Sequence, residues 1–523
     1  VRVRRGGRAA ACAMLAAIVV IASGCAPAVD EGWVPPQWPQ SRLAVVAEPP
    51  APLDATGFAG LEPQRLRNDG VGVQARFAYL PGASASASAF NDVVDDVVRQ
   101  AIGAQTAATG VAYAPEPSTG LADRGCVAGS TTMAADALLA DPATGAPNAN
   151  GTTVVCDLVT ASGPFLGLRL RVVSGGEGTI VSDTSTTLYV DTATGEIVRA
   201  AELWTDSAAD VLGSQIVEAL VRDAGSLSLR PAAVAEPEQL ARLVVALGTT
   251  VPTPGGDLVF TVAPGFSTAA LSDLGVPATS EPLAVSVPAD VAADVLTPFG
   301  ARLSAGAGLE YTGPQPTGAA AVRPSCDLVP CIALTYDDGP SGLTPGLLDI
   351  LLEDRAAATF YMLGQYAAGA PDTVRRVAAE GHEVGNHTWN HPRLPELTDD
   401  EIARQLGRTA TLLRSLSGQP VATFRPPYGE FSARVLAVAG QPAMIWTVDT
   451  RDWAGPPDDA LIRSAVDGAT PGGIILFHDT HERTIRVTPE VLAGLRDRGF
   501  TMVTVTQLFG GDLPASGAWR AAP

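Results

Sequence analysis

The chain has 523 residues, of which 46% are hydrophobic and 17% charged, so it has apolar material for two or three buried cores and too little charge to be disordered along most of its length. Its 34 basic residues are all arginine and stand against 55 acidic ones, and the net charge of −21 excludes the basic surface that a nucleic-acid binder needs. No apolar run reaches the roughly 20 residues that span a bilayer, which excludes a multi-pass membrane protein.

Taken in chain order, Arg2, Arg4, Arg5 and Arg8 precede an apolar run from Ala9 to Ile21 and the close Ala22-Ser23-Gly24-Cys25, the layout of a secretory signal over residues 1–25. The small residues before Cys25 resemble a bacterial lipobox, with Ala22 where Leu is commoner. That resemblance implies a lipid on Cys25 and a place outside the cytoplasm, anchored to the outer face of the cell membrane. An ordinary cleaved signal and a secreted protein are the alternative. Contact with the membrane is expected only through that anchor. Residues 26–65 are rich in Pro and Ala (Pro35, Pro36, Pro49, Pro50, Pro52), without helical or strand period, and read as a flexible tether.

From 66 to 305, short β-like runs (168–173, 187–190, 258–262) alternate with amphipathic stretches (90–102, 209–224), the pattern of an α+β domain or of two small ones. Residues 306–324, with Gly313, Pro314 and Pro316, read as a linker, 325–510 as a last domain and 511–523 as a tail. With Cys12 and Cys25 assigned to the signal, four cysteines remain. The simplest pairing is Cys126 with Cys156 and Cys326 with Cys331, although three connectivities exist and a four-cysteine zinc site is the functional alternative.

The last domain offers seven candidate strands, at 331–336, 358–362, 382–385, 422–424, 444–448, 473–477 and 501–505, with helical periods between them. The clearest helix spans 399–416, where Thr398 and Glu401 have capping-box spacing before Ile402, Leu406, Leu412, Leu413 and Leu416. Alternation of strand and helix predicts an α/β fold with a parallel sheet, and seven strands favour a closed or nearly closed barrel with its chemistry at the C-terminal strand ends. All five histidines fall here: His382, His387, His391, His478 and His481. Polar groups follow successive strands: Asp337 and Asp338, then His387 and His391, Arg425, Asp449 and His478.

In order, the chain reads Thr335-Tyr336-Asp337-Asp338-Gly339-Pro340, His387-Thr388-Trp389-Asn390-His391, Arg425-Pro426-Pro427-Tyr428-Gly429, Asp449-Thr450-Arg451-Asp452-Trp453 and Leu476-Phe477-His478. These runs resemble the five motifs of the NodB-type polysaccharide deacetylases, carbohydrate esterase family 4, with Tyr336 where Phe is usual. The resemblance covers the last domain and implies a distorted (β/α)7 barrel. His387 and His391, at i and i+4, can aim two imidazoles at one cation if the segment turns helically, though Pro392 argues against a regular helix. Asp338 adds a hard oxygen, a ligand set that suits catalytic zinc and also admits cobalt, nickel or manganese. By resemblance, Asp337 is the general base with Arg425 as its charge partner, His478 the general acid, and Asp449 the carboxylate that orients His478. The Tyr428 N–H follows Pro427, which cannot donate, and is the implied oxyanion donor; Trp453 and Leu476 would wall the acetyl pocket. His382 is expected to be a packing residue and His481 to be exposed.

The implied activity is metal-dependent removal of N-acetyl groups from an aminosugar polymer, with peptidoglycan N-acetylglucosamine the substrate that an exported, tethered enzyme meets first. Chitin-like, exopolysaccharide and xylan substrates are alternatives, as is an inactive wall-binding or sensor protein. Leu188-Tyr189-Val190-Asp191-Thr192-Ala193-Thr194-Gly195-Glu196 and Glu202-Leu203-Trp204 resemble RsiV-like domains, which implies a glycan or protein ligand for the 66–305 region or a spacer role.

Overall fold

The structure, a computed structural model, describes residues 41–523 apart from 47, 83, 177, 224–235, 316, 317 and 319–323. The signal expected over 1–25 and the first part of the expected tether, 26–40, lie outside the described residues. From 41 onward the tether reading is corrected. Strand β1 (Ala44–Val46) is already part of a sheet, Leu53 bridges Leu158, and β2 (Glu62–Asn68) begins before the expected domain boundary. Prolines in this stretch stop helix formation but leave edge pairing open.

Strands β2, β3 (Val73–Tyr79), β4 (Gly151–Ser162), β5 (Phe165–Gly176), β6 (Thr179–Asp191) and β7 (Glu196–Arg199) form a six-stranded sheet in that order, antiparallel except between β3 and β4. The parallel pair needs a crossover, and helix α1 (Ala85–Thr109) lies within it. Ser84 caps α1 by accepting the Ala87 N–H, Gly110 ends it at φ 72°, and Phe90, Val94, Val98 and Ile102 supply the buried stripe. A second sheet has the order β1, β10 (Leu283–Val287), β9 (Leu258–Val262), β8 (Val251–Pro252). Its core also takes residues from α2 (Ala208–Asp223) and α3 (Pro237–Leu247). The region is therefore α+β with two sheets, as its text suggests.

The last domain is built on parallel strands. Its ladder has the order β13 (Glu383–Asn386), β12 (Thr359–Met362), β11 (Cys331–Asp337), β16 (Gly473–His478), β15 (Val448–Asp449), and β17 (Thr501–Val503) pairs with β11. Strand β11 is buried along its whole length because helices cover the sheet, which is why it reads as an apolar run with no alternation. Helix α4 (Asp399–Ser417) has the expected capping box and ends at Gly418 with φ 71°.

Among the described residues regular ladders do not close this sheet, so of the closed or nearly closed barrel expected the closed form is not seen. The fourth expected strand is reduced to Phe424, which bridges Asn386 on one side and Ala443 on the other. Pro426 and Pro427 follow it and have no N–H to continue a ladder. The fifth is split into β14 (Ala443–Met444) and β15, since the Ile445 N–H donates to the Trp519 carbonyl and the Thr447 N–H to the Ile474 carbonyl. The expected tail is also structured, with β18 (Ala518–Trp519) pairing with β14.

One apolar core joins the two regions, running from Phe77 and Phe90 to Val329, Ala333, Ile474 and Val503. Arg124 spans the same boundary, donating to the Arg496 and Phe500 carbonyls at 3.1 and 2.8 Å. Of the expected linker, the described part is packed: the Gly163 N–H donates to the Glu310 carbonyl at 3.2 Å, and the Tyr311 ring lies 5.3 Å from Phe58. Both local cysteine pairs are disulfides, Cys126 with Cys156 and Cys326 with Cys331.

Candidate active site

Alternation along β11 places Thr335 and Asp337 on one face, and the parallel register sets Asp337 beside His478 of β16. Asp338 then leaves the strand at φ 71°. Its Oδ1 lies 3.5 Å from His387 Nε2 and 3.4 Å from His391 Nε2, and the three ligand atoms are all within 4.8 Å of one another. The two histidines are not on a helix. Thr388 and His391 take φ of 72° and 64°, and the His391 N–H donates to the Thr388 hydroxyl at 3.1 Å, so a turn brings the rings together. Gln405 of α4 steadies this turn, its Oε1 accepting the Trp389 N–H at 2.8 Å and its Nε2 donating to Asn390 at 2.7 Å.

His387 Nδ1 lies 2.7 Å from the Arg425 carbonyl, which can only accept, so the ring proton sits on Nδ1 and the Nε2 lone pair is left toward Asp338. Among the described residues, Asp338 Oδ1 is buried with no hydrogen-bond partner. Two imidazole nitrogens and an orphaned carboxylate oxygen fit a divalent cation with coordination positions left open, and by donor type they suit zinc.

Beside this cluster, fully buried Arg425 donates from Nη1 to Asp337 Oδ1 at 2.8 Å and to the Thr335 hydroxyl at 2.7 Å, and from Nε to the Met444 carbonyl at 2.8 Å. Its guanidinium also stacks over Tyr361, 4.3 Å from the ring centre. Asp337 Oδ2 is left 3.8 Å from His387 Nε2. The expected pairing of Asp337 with Arg425 is thus present.

Asp449 does not hold His478, and that expectation is corrected. Asp449 caps its own turn by accepting the Arg451 N–H at 2.9 Å. Arg451 takes the left-handed conformation, φ 53°, and brings the next residue back under β16, so Asp452 is the carboxylate that His478 meets. Asp452 Oδ1 lies 2.7 Å from His478 Nδ1, and its Oδ2 accepts the His478 N–H and the Thr484 hydroxyl, each at 2.7 Å. Burial opposes charge on His478, but the hydrogen bond and charge of Asp452, with Asp337 and Asp338, overcome it and raise the pKa to about 9. Asp452 lies in the same five-residue run as Asp449, three residues on.

Tyr428 sits in the turn Pro427–Gly429 at φ 61°, ψ 6°, its ring edge-on to His391 with centroids 4.5 Å apart. Trp453 is 57% exposed, and Leu476 is buried on β16 two residues before His478. His382 is buried and accepts the Ala358 N–H at 3.2 Å, a packing residue as expected. His481, expected to be exposed, is half-buried, its ring 5.8 Å from that of His478.

Residues 326–444 match the family model described as polysaccharide deacetylase. A chitooligosaccharide deacetylase of Bradyrhizobium sp. (strain ANU 289) is 36% identical over 196 residues, 34% of this chain and 90% of that protein. The chain belongs to the polysaccharide deacetylase family. Two further relatives are peptidoglycan deacetylases. Peptidoglycan-N-acetylglucosamine deacetylase PgdA of Listeria monocytogenes is 38% identical over 180 residues, 34% of this chain and 39% of that protein. Peptidoglycan-N-acetylmuramic acid deacetylase PdaC of Bacillus subtilis is 35% identical over 178 residues, 34% of this chain and 38% of that protein. The match thus spans well under half the length of these two relatives.

Proposed function

We propose that this chain is a divalent-metal-dependent deacetylase that hydrolyses N-acetyl groups on an aminosugar polymer of the cell wall, with peptidoglycan N-acetylglucosamine as its substrate. The observation that carries this is the cluster of Asp338, His387 and His391, with Asp337 held by Arg425 and His478 held by Asp452 next to it. The names of the relatives support the substrate class, since they act on peptidoglycan or chitooligosaccharides.

A bound divalent ion, zinc by donor type, would polarise the acetamide carbonyl and acidify the attacking water. Asp337, with one oxygen engaged by Arg425, takes the proton of that water through the other oxygen as the water oxygen bonds to the acetyl carbon. The Tyr428 N–H is our candidate for the second donor to the developing oxyanion. His478 gives its Nε2 proton to the departing nitrogen, the C–N bond breaks, and acetate and a free amine leave. Asp452 keeps the imidazolium oriented throughout. Trp453 and Leu476 are our candidates for the walls of the acetyl pocket.

We also read the last domain as a distorted (β/α)7 barrel, on the two single bridges through Phe424 that link β13 to β14. The region before it we read as an RsiV-like spacer that carries the catalytic part within the wall, supported by the core the two share. Extracytoplasmic location, with an anchor on Cys25, is our reading of the Arg-rich apolar start and the two disulfides.

Acetate release from N-acetylglucosamine oligomers and from peptidoglycan, measured with added zinc, with chelator and with Asp337→Asn, tests this function. Release that zinc supports and that chelator and the substitution abolish is the expected result. No release from any acetylated glycan by zinc-loaded wild-type protein would leave the wall-binding alternative.

A further inference from the structure

Asp479 immediately follows His478 and has no part in the chemistry above, yet it is fully buried. Its Oδ2 accepts the Thr344 hydroxyl at 2.6 Å and its carbonyl accepts the Ser341 hydroxyl at 2.6 Å. Ser341 lies in the loop that follows Asp338, and Thr344 opens the helix at the end of that loop, Thr344–Glu353. The loop is also tied to itself, since the Ser341 N–H donates to the Thr344 hydroxyl at 2.8 Å and the Leu343 N–H to the Ser341 hydroxyl at 3.1 Å.

Gly339 lies directly against the Asp479 side chain: a Cβ there would be 2.2 Å from Oδ2 and 2.3 Å from Oδ1. The glycine next to Asp338 is therefore demanded by the carboxyl packed on it. Among the described residues Asp479 has no ion-pair partner, and its Oδ1 accepts no hydrogen bond. A buried carboxyl so placed costs free energy, and a well-packed apolar side chain would serve a purely structural need as well. What an apolar residue could not do is receive the loop.

We propose that Asp479 is a positioning residue for the deacetylation centre, clamping the loop that begins at Asp338 to the strand end that carries His478. It acts through its neighbours and touches no reacting atom. The inference rests on the function proposed above, because it takes Asp338 as a metal ligand and Asp337 and His478 as the proton carriers. Asp479 holds the loop that begins at Asp338 to the end of β16 just beyond the last rung of the β11 and β16 ladder, where Asp337 stands beside His478.

The test compares full-length wild type, Asp479→Asn, Asp479→Ala and Thr344→Val for zinc affinity by chelator competition, for kcat and KM on an N-acetylglucosamine oligomer, and for the melting temperature without metal. Asp479→Ala should weaken zinc binding about 10- to 100-fold, as loss of support around metal ligands does, and lower kcat with little change in KM. Asp479→Asn keeps the volume and an oxygen for the Thr344 hydroxyl and should restore most of both. Thr344→Val, which removes the bond from the loop side in a milder way, should show the same loss in smaller degree. Zinc affinity and kcat unchanged in Asp479→Ala would overturn the proposal, as would a lower melting temperature alone, or an Asn variant no better than Ala. Wild type that binds zinc but releases no acetate would overturn the functional reading alone, since the zinc affinities still decide the role of Asp479.

Discussion

His478 meets a carboxylate at Nδ1 and at its backbone N–H, and both contacts go to Asp452. Asp452 raises the His478 pKa to about 9, against an ordinary value of 6.5, so the imidazolium needed as proton donor is present below that pH and is lost as pH rises through it. Activity should therefore fall on the alkaline side with the His478 titration. Asp452→Asn removes the charge and should move that limb of the kcat/KM profile to lower pH by about one unit or more, while Asp449→Asn should leave it in place. If the limb follows Asp449 instead, the pairing is wrong. His478→Ala should lower kcat about 10²- to 10⁴-fold. Asp337, Asp338, His387, His391, Arg425 and His478 were legible because they stand in runs that resemble the family's motifs, and for Asp338, His387 and His391 residue type and spacing also carry the chemistry. Asp452 was not, because a left-handed residue between strand and carboxylate reverses the chain, and no periodicity in the sequence reports it.

Helix α4 shows what an element contributes to the site. Its Thr398 and Glu401 cap was readable from spacing alone, and Thr398→Ala should cost about 1 kcal/mol in denaturant unfolding. Its bearing on the histidine turn was not readable, because Gln405 has no motif and acts across a tertiary contact on the backbone of Trp389 and the side chain of Asn390. Gln405→Leu keeps the helix but leaves those groups unmet. It should weaken zinc binding with a small change in stability, measured by chelator competition beside melting of the metal-free protein; equal zinc affinity would show that the turn holds itself. Strand existence was legible where parallel ladders bury both faces, as in β11 and β16. It failed where ladder bonds are replaced one by one, at Phe424 before two prolines and at the split between β14 and β15. The chain end was missed for a related reason: Ala518 and Trp519 add to β14 through backbone bonds that need no alternating pattern.

At the scale of the whole molecule, the sequence divides the chain at a proline-rich stretch, and the structure joins what lies on either side of it. Phe90 of α1 is fully buried in a core that also holds Val329, Ile474 and Val503. Across the same boundary Glu62 pairs with Arg355 at 3.1 Å and Arg99 with Asp327 at 3.1 Å, while the Leu121 N–H donates to the Asp497 carbonyl at 2.9 Å. The ion pairs are partly exposed and contribute little, so cohesion comes from the apolar contact and from the backbone bonds that cannot be made to water once buried. A shared core of this kind makes the two regions melt together. Calorimetry of the metal-free protein should show one main transition, and Phe90→Ala should cost about 3–5 kcal/mol while lowering the temperature at which the catalytic part unfolds. Two well-separated transitions, with the upper one untouched by Phe90→Ala, would mean that each region stands alone and that the spacer reading has lost its support.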